Sequence, residues 1–198
     1  MNLLEDLNDA QRQAVLHTEG PVLILAGAGS GKTRALTYRI AYLIAEKGVS
    51  PFHILAVTFT NKAAQEMKER LYQLVGPRSR DIWARTFHST CARILRKEIE
   101  ALPPYDRNFT IFDTTDQLAA VKRVLLDAGV DATLKPQAVL ATISRAKNEM
   151  LSPDQLAATA SDYWTQLAAK LYDAYQKQLR SNNALDFDDL HVVNRPAV

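Results

Sequence analysis

The chain has 198 residues and a formal net charge of +2, with 47% hydrophobic and 23% charged residues. This composition is ordinary for a globular protein, and so small a net charge does not by itself argue for a nucleic-acid partner. The single cysteine, Cys91, excludes an internal disulfide and fits a reducing cytoplasm. No apolar run is long enough to span a bilayer, and the acidic start of the chain differs from the basic start of a signal peptide. We therefore expect a cytoplasmic globular protein of one large domain or two small ones.

The first predicted element is a short helix over residues 7–17, which Asn8 can cap. Gln11 lies one position away from the place that a capping box requires, so we expect its side chain to be free for another role. A glutamine amide can donate to and accept from the edge of an adenine at the same time. A solvated helix glutamine is the alternative interpretation.

Residues 22–33, VLILAGAGSGKT, combine a short apolar run, a glycine-rich turn and the start of a helix. The apolar run predicts a buried parallel strand, and the turn is suited to hold a polyphosphate at the helix N-terminus. Lys32 would reach the β- and γ-phosphates, and the Thr33 hydroxyl would ligate Mg²⁺. The sequence differs from the phosphate-loop consensus only at the first position, where Ala26 replaces glycine. A plain strand-to-helix turn is the alternative, whereas a dinucleotide-binding fold is excluded because its third glycine would fall at Lys32.

Two further strands are predicted over residues 53–59 and 81–86, with a helix over residues 62–75 between them. This order implies right-handed crossovers and a parallel sheet. Both strands run into aromatic and polar side chains at their carboxyl ends, which is the edge where ligands of open α/β sheets bind. Such groups suit a single-stranded nucleic acid, because a ring can stack on a base while polar groups hold phosphates. The alternative is that Phe59 belongs to the core and Asn61 only caps the next helix.

From about residue 89 the sequence predicts helices, interrupted by one short extended piece at residues 108–112. The aromatic side chains of the long helix near the end of the chain are expected in core or half-core positions. Arg145 and Lys147 are expected to be solvated. Residues 185–190, LDFDDL, are interpreted as a capped amphipathic segment in preference to a metal site. A metal-ligand role is also not expected for His88, because no Cys, His or acidic partner stands at ligand spacing.

Together these motifs resemble the superfamily-one DNA helicases of the UvrD, Rep and PcrA group, the PcrA branch in particular, over residues 7–190. LNDAQ resembles the adenine-reading motif of that family, and AGAGSGKT resembles its form of the phosphate loop, alanine included. VTFTNKAAQEM and TFHS resemble its first and second single-strand DNA motifs. The resemblance implies an α/β fold, with an incomplete RecA-like motor domain and parallel sheet over residues 1–88. An all-helical accessory domain would follow over residues 89–198.

The resemblance also implies ATP and Mg²⁺ as cofactors. Single-stranded DNA, single-strand/duplex junctions and the remaining helicase domains of a full-length parent would be the partners, with no membrane. Lys32 and Thr33 would be the catalytic residues, and Thr33 the metal ligand. The implied nucleotide-binding residues are Gln11, Ala26, Gly27, Ala28, Gly29, Ser30, Gly31, Lys32, Thr33 and Arg34. The implied DNA contacts are Phe59, Thr60, Asn61, Thr86 and His88.

The implied parent function is ATP-driven 3′ to 5′ translocation on single-stranded DNA with duplex unwinding. The family's Asp-Glu box and arginine fingers are not found after Thr86, and the resemblance fades over residues 191–198. We therefore expect a truncated product, a frameshifted end or a fragment that is inactive alone. The alternatives are a non-catalytic module that binds nucleotide or DNA without turnover, and another phosphate-loop enzyme such as a small kinase.

Overall fold

The computed structural model describes residues 3–130 and 134–193. The chain forms two compact units, one ending at Thr90 and the other beginning at Cys91. Both contain helices and short parallel sheets, which confirms the mixed α/β prediction. The elements of the first unit are α1 (Asp9–Leu16), α2 (Lys32–Ala45), β1 (Leu55–Thr58), α3 (Asn61–Val75) and β2 (Trp83–Thr86), with 3-10 turns at Pro51–His53 and Gly76–Asp81.

Strands β1 and β2 pair in parallel, with Leu55 opposite Trp83 and Thr58 opposite Thr86. Each strand alternates its side chains between the two faces of the sheet, so Ala56 and Ala84 share one face. That face is buried against apolar side chains of α2 and α3. The core on this face consists of Ile40, Ile44, Ile54, Ala56, Met67, Leu71, Ile82 and Ala84. The predicted parallel strand–helix–strand arrangement is confirmed for this pair.

The prediction of a buried strand at residues 22–25 is wrong. Leu23 and Leu25 are 82% and 86% exposed, and β1 and β2 pair without this segment. An apolar run becomes a parallel strand only when neighbouring strands complete its hydrogen bonds and other layers cover both faces. Among the described residues, no strand pairs with this run and no layer covers its faces, so it remains outside the sheet of β1 and β2.

Helix α4 (Phe87–Glu98) begins in the first unit and continues into the second, and a 3-10 turn at Ile99–Ala101 follows it. The other elements of the second unit are β3 (Thr110–Phe112), α5 (Thr114–Asp127), α6 (Pro136–Asn148), α7 (Pro153–Thr159), α8 (Tyr163–Ser181), β4 (Ala184–Asp186) and α9 (Asp189–Val192). The prediction that this part is all-helical is wrong, because β3 and β4 pair in parallel. The extended piece predicted at residues 108–112 contains β3, but its pairing with β4 was not predicted, because both strands are short and far apart along the chain.

The second unit has one core between its helices and a smaller one beneath α4. In α8, Tyr172 and Tyr175 are buried and Trp164 packs partly buried against the larger core. These positions confirm the prediction for the aromatic side chains of this helix, with Tyr163 as the exception because it is exposed at the first turn.

Within the described ranges, no helix combines the length and the hydrophobicity needed to cross a membrane. The resemblance is expected to fade over residues 191–198, but residues 194–198 lie outside the described residues.

Candidate nucleotide and nucleic-acid site

The phosphate loop is shaped by two glycines in the left-handed backbone region. Gly29 has φ +75° and Gly31 has φ +84°, conformations that residues with a Cβ atom rarely adopt. Gly31 is the N-cap of α2, a helix of 14 residues. The free N–H groups and the positive dipole end of that helix therefore face the loop. The Ser30 hydroxyl donates to the Gly27 carbonyl at 2.7 Å and tightens the turn.

The side chain of Lys32 folds back over the same loop. Its Nζ atom donates to the carbonyls of Ala26 and Gly27, at 2.8 and 2.7 Å. Among the described residues no carboxylate forms an ion pair with this ammonium group. An anionic ligand can therefore take the place of the carbonyls without breaking an ion pair. Thr33 is exposed on the first turn of α2, where its hydroxyl is accessible to a cation held by such a ligand.

Gln11 connects α1 to the phosphate loop and also belongs to a capping box. Its backbone N–H donates to the Asn8 carboxamide oxygen at 2.9 Å, and its own Oε1 accepts from the Asn8 backbone N–H at 3.2 Å. The prediction that Gln11 lies outside the capping box is therefore wrong, because α1 begins at Asp9 and Gln11 is its third residue. Its Nε2 donates to the Ser30 carbonyl at 3.1 Å.

A cavity of about 250 Å³ lies between α1 and the loop, and Gln11, Ser30 and Lys32 are among the side chains that line it. A Cβ atom at position 31 would lie 2.5 Å from Gln11 Nε2, so only glycine leaves room for the amide to reach the loop. These residues fit a nucleotide, because an amide, a cation and exposed helix N–H groups converge on one cavity. Arg34 is directed away, toward Asp6 at 4.0 Å.

Two aromatic rings project from the carboxyl ends of β1 and β2. Phe59 is 89% exposed, so the alternative that it belongs to the core is wrong. Its ring centroid lies 5.4 Å from that of Phe87, with the planes tilted by 46°. The two residues are neighbours because Thr58 and Thr86, the residues before them, are opposite each other in the ladder. An exposed ring pair at strand ends offers faces on which bases can stack.

Hydroxyl groups beside these rings form the N-terminal caps of two helices. Thr60 caps α3 by accepting from the Ala63 N–H at 3.1 Å, so Asn61 is the first helical residue and not the cap. The Thr86 hydroxyl accepts from the Ser89 N–H at 3.2 Å and the residue is 8% exposed. Thr86 therefore fixes the start of α4, which carries the exposed His88 in its first turn.

Sequence reasoning placed an aromatic ring, that of Phe87, at the end of the second strand, but it did not predict the contact with the ring of Phe59, which follows from the ladder register. It missed one further residue of this surface. Arg85, half-buried on β2, places its Nη1 atom 3.5 Å from the Ser89 hydroxyl and adds a cation near the strand ends.

The acidic residues of LDFDDL form a buried ionic cluster in the second unit. Lys147 Nζ lies 2.6 Å from Asp186 Oδ2 and 2.8 Å from Asp189 Oδ1. Tyr175 donates to Asp186 at 3.0 Å, and Gln176 donates to Asp189 at 3.2 Å. Lys147 is fully buried, so the prediction that it is solvated is wrong. Burial raises the pKa of Asp189, although the nearby Lys147 acts in the opposite direction.

No group of three or more His, Cys, Asp or Glu side chains is arranged to hold a metal ion in the part of the chain that the structure describes. The ammonium group of Lys147 contacts Asp186 and Asp189 instead, so it takes the place that a cation would need between these carboxylates.

Comparison with known proteins gives one family and a set of close relatives. The model of the UvrD/REP helicase N-terminal domain matches residues 7–195. The ATP-dependent DNA helicase PcrA of Bacillus subtilis is 52% identical over 95% of this chain, which covers 25% of that protein. The PcrA of Staphylococcus aureus is also 52% identical over 95% of the chain, and that of Staphylococcus epidermidis is 51% identical. The chain thus spans about a quarter of the length of these relatives. The match confirms the family resemblance seen in the motifs.

Proposed function

The chain belongs to the UvrD/REP helicase N-terminal domain family, and we propose that it forms the N-terminal portion of an ATP-dependent DNA helicase. The parent activity is 3′ to 5′ translocation along single-stranded DNA with unwinding of duplex at single-strand/duplex junctions. This chain supplies a nucleotide site and a strand-binding surface, both in an incomplete RecA-like motor domain. The helical unit is the accessory domain.

The proposal is supported by the observation that one compact unit contains both the nucleotide site and the strand-binding surface. The phosphate loop, the α1 amide of Gln11 and the ring pair at the ends of β1 and β2 all belong to the residues before Cys91. A small kinase would instead use these strand ends for a compact acceptor pocket and lid. Exposed aromatic rings flanked by amide and imidazole groups fit an extended strand better.

At the nucleotide site, Gln11 presents its amide to adenine and residues 26–33 surround the phosphates, whereas Arg34 must turn from Asp6 to reach them. With a nucleotide bound, Lys32 would move from the loop carbonyls to the β- and γ-phosphates, and the Thr33 hydroxyl would hold Mg²⁺. The ion would supply positive charge that neutralises the phosphate oxygens. Because α2 starts at Lys32, the helix dipole adds to the attraction for this anion.

At the strand ends, Phe59 stacks on a base while Thr60, Asn61 and His88 contact the backbone. Thr86 contributes by fixing the first turn of α4 behind His88. Stepping needs a cleft that opens and closes between two motor halves, with an acidic residue that orients water and an arginine finger. The acidic residue and the arginine finger are not found in this sequence. We therefore expect this chain to bind nucleotide at its phosphate loop but to hydrolyse it negligibly.

The test is nucleotide and DNA binding by the purified chain. Calorimetry should detect Mg-ATP binding that weakens at least about tenfold in Lys32→Ala, since the variant loses a charged contact to phosphate. Lys47→Ala is the matched control, because Lys47 is an exposed lysine just beyond the C-terminal end of the same helix. Oligo(dT) binding should weaken as salt is raised.

A folded sample that binds neither Mg-ATP nor oligo(dT) contradicts the proposal. Brisk DNA-stimulated ATP hydrolysis that Lys32→Ala abolishes contradicts the statement that this chain alone does not turn over.

A further inference from the structure

We propose that a bound single strand of DNA continues from the ends of β1 and β2 along one exposed flank of α3, into a groove between this helix and the turn Gly76–Asp81. The inference rests on the proposed strand-binding surface and deepens it, because it assigns a second contact area for the same ligand. Lys68, Tyr72 and Arg80 are the residues that contact the strand in this groove.

The flank of α3 starts within the strand-binding surface. Thr60 caps α3 at the carboxyl end of β1, so Asn61 is the first residue of the helix. Gln65, Lys68 and Tyr72 follow Asn61 at positions i+4, i+7 and i+11, and all four side chains are exposed. Residues at this spacing lie on one side of a helix. A strand that contacts Asn61 therefore has a continuous row of exposed side chains ahead of it.

The row of side chains leads into a cavity of about 380 Å³. We call it the α3 groove; its walls include Gln65, Lys68, Glu69, Tyr72, Ser79 and Arg80. The Ser79 hydroxyl donates to the Gly76 carbonyl at 2.8 Å, which fixes the turn that carries Arg80. A cavity of this volume is large enough for a small ligand or one nucleotide.

The groove contains a ring and a cation that together suit a base. Tyr72 is 49% exposed although it lies on a helix that packs against the core. The guanidinium carbon of Arg80 lies 5.9 Å from the centroid of the Tyr72 ring. Aromatic rings bind successive bases of a single strand by stacking, and an arginine beside the ring adds a cation–π contribution. This pair is therefore a second stacking position, separate from that of Phe59.

The charges of the groove suit a phosphate backbone. Among the described residues, neither Lys68 nor Arg80 forms an ion pair, so both cations can bind phosphates without breaking one. Glu69 is the one carboxylate among the described side chains of the groove, and Gln65 Nε2 donates to it at 2.8 Å. Two cations and one carboxylate leave the groove with an excess positive charge, which favours nucleic acid.

The length of α3 sets the length of DNA that reaches the groove. At a rise of about 1.5 Å per residue, Asn61 and Tyr72 are about 16 Å apart along the helix axis. That distance corresponds to about five nucleotides at the spacing of about 3.4 Å in a stacked strand. An oligonucleotide of about four nucleotides bound at the strand ends therefore stops short of Tyr72, whereas one of about twelve nucleotides spans both contact areas.

The experiment measures binding of labelled oligo(dT) of these two lengths to the full chain by fluorescence anisotropy. Phe59→Ala should weaken both oligonucleotides, since both cover the strand ends. Tyr72→Ala should weaken the longer one by about tenfold and Arg80→Ala by about threefold, while neither changes the affinity for the shorter one. Each variant is compared with the wild type at the same length, so the larger number of binding registers on the longer strand cancels.

Two control variants test whether the effect belongs to the groove. Arg70 is an exposed arginine on the opposite flank of α3, with its Nη2 atom 3.9 Å from Glu66. Arg70→Ala removes the same charge as Arg80→Ala from the same unit. Tyr163→Ala removes an exposed ring of the second unit. Neither control should change the affinity for the longer oligonucleotide by more than about twofold.

The outcomes separate this inference from the proposed function. If a folded chain binds neither oligonucleotide, the strand-binding surface itself is wrong and its extension fails with it. If both bind and Phe59→Ala weakens them, but Tyr72→Ala and Arg80→Ala match the wild type, the surface stands and the extension is overturned. The groove would then fit a protein partner better than DNA. Equal losses in Arg70→Ala and Arg80→Ala, or equal losses at both lengths in Tyr72→Ala, also overturn the extension.

Should Tyr72→Ala fail to fold, photo-crosslinking of the wild-type chain gives an independent measurement. The longer oligonucleotide carries 4-thiothymidine at one end or the other, and mass spectrometry identifies the crosslinked residues. We expect crosslinks at Tyr72 or its neighbours in the groove from one end only. Crosslinks confined to the ends of β1 and β2 from both probes overturn the proposal.

Discussion

The ring of Phe59 lies 5.4 Å from the ring of Phe87, and the two planes are tilted by 46°. Phe59 is almost fully exposed, whereas Phe87 is more covered and supports it from the side. The pairing arises because parallel strands in register end at the same edge of the sheet. A large exposed ring is unfavourable in water unless a ligand covers it, which is why this pair is the centre of the proposed strand-binding surface.

We expect Phe59→Ala to weaken oligo(dT) binding by about tenfold, since stacking contributes about 1–3 kcal/mol per base. Phe87→Ala should cause a smaller loss, because it removes only the ring that supports Phe59. Fluorescence anisotropy with a labelled oligonucleotide measures both. Tyr163→Ala, which removes an exposed ring from the second unit, is the control. Equal affinities of Phe59→Ala and the wild type would contradict the proposed role.

Gly31→Ala should destabilise the chain more than Gly48→Ala. Both glycines have positive φ, at +84° and +67°, so alanine is strained at either position by about 1–2 kcal/mol. Only the Cβ atom at position 31 meets a neighbour, Gln11 Nε2 at 2.5 Å. The amide must move away and lose its hydrogen bond to Ser30, which adds about 1 kcal/mol. Urea unfolding followed by circular dichroism measures the difference, and equal losses in the two variants would refute this account.

Lys147→Met should lower the free energy of unfolding by about 3–5 kcal/mol, because it leaves the buried carboxylates of Asp186 and Asp189 without their cation. Lys177→Met is the matched control, since Lys177 lies 2.7 Å from Asp173 but both side chains are largely exposed. Its loss should stay below about 1 kcal/mol. Chemical denaturation measures both variants. Comparable losses would show that burial does not determine the strength of this cluster.

The pH dependence of stability should reveal the protonation of Asp189. Burial raises the pKa of Asp189 above its ordinary value of 3.8, with Lys147 opposing the effect. The folded chain therefore binds this proton more tightly than the unfolded chain does. The resulting contribution to stability is greatest below the ordinary value and is lost as the pH rises through the folded pKa.

The excess stability of the wild type over Asp189→Asn should accordingly fall as the pH is raised from below the ordinary value of 3.8, by at most about 1.4 kcal/mol per pH unit. Asp162→Asn gives a control of opposite sign. Hydrogen bonds from Thr165 lower the pKa of Asp162, so its contribution is lost as the pH falls. Denaturant unfolding across this range measures both. A difference for Asp189→Asn that grows as the pH rises would contradict the prediction.

Local patterns in the sequence determined much of the proposed site. The glycines and Lys32 identify the phosphate loop, because the backbone conformations and the charge needed there belong to particular residue types. Helical periodicity predicted α2 and α8, since each buries one face. The start of α1 shows the limit of such patterns: a shift of one residue in its boundary moved Gln11 into the capping box.

Tertiary structure decided what depends on partners distant in the chain. Residues 22–25 have the composition of a buried strand but lie exposed, because strand pairing requires neighbours that a local pattern does not contain. Lys147 and Asp186 each have the sequence pattern of a solvated charge, and only their approach to 2.6 Å allows both to be buried. The physical reason is the same in both cases. Conformation and charge are properties of single residues, whereas hydrogen-bond ladders and the burial of charge exist only between residues that the fold brings together.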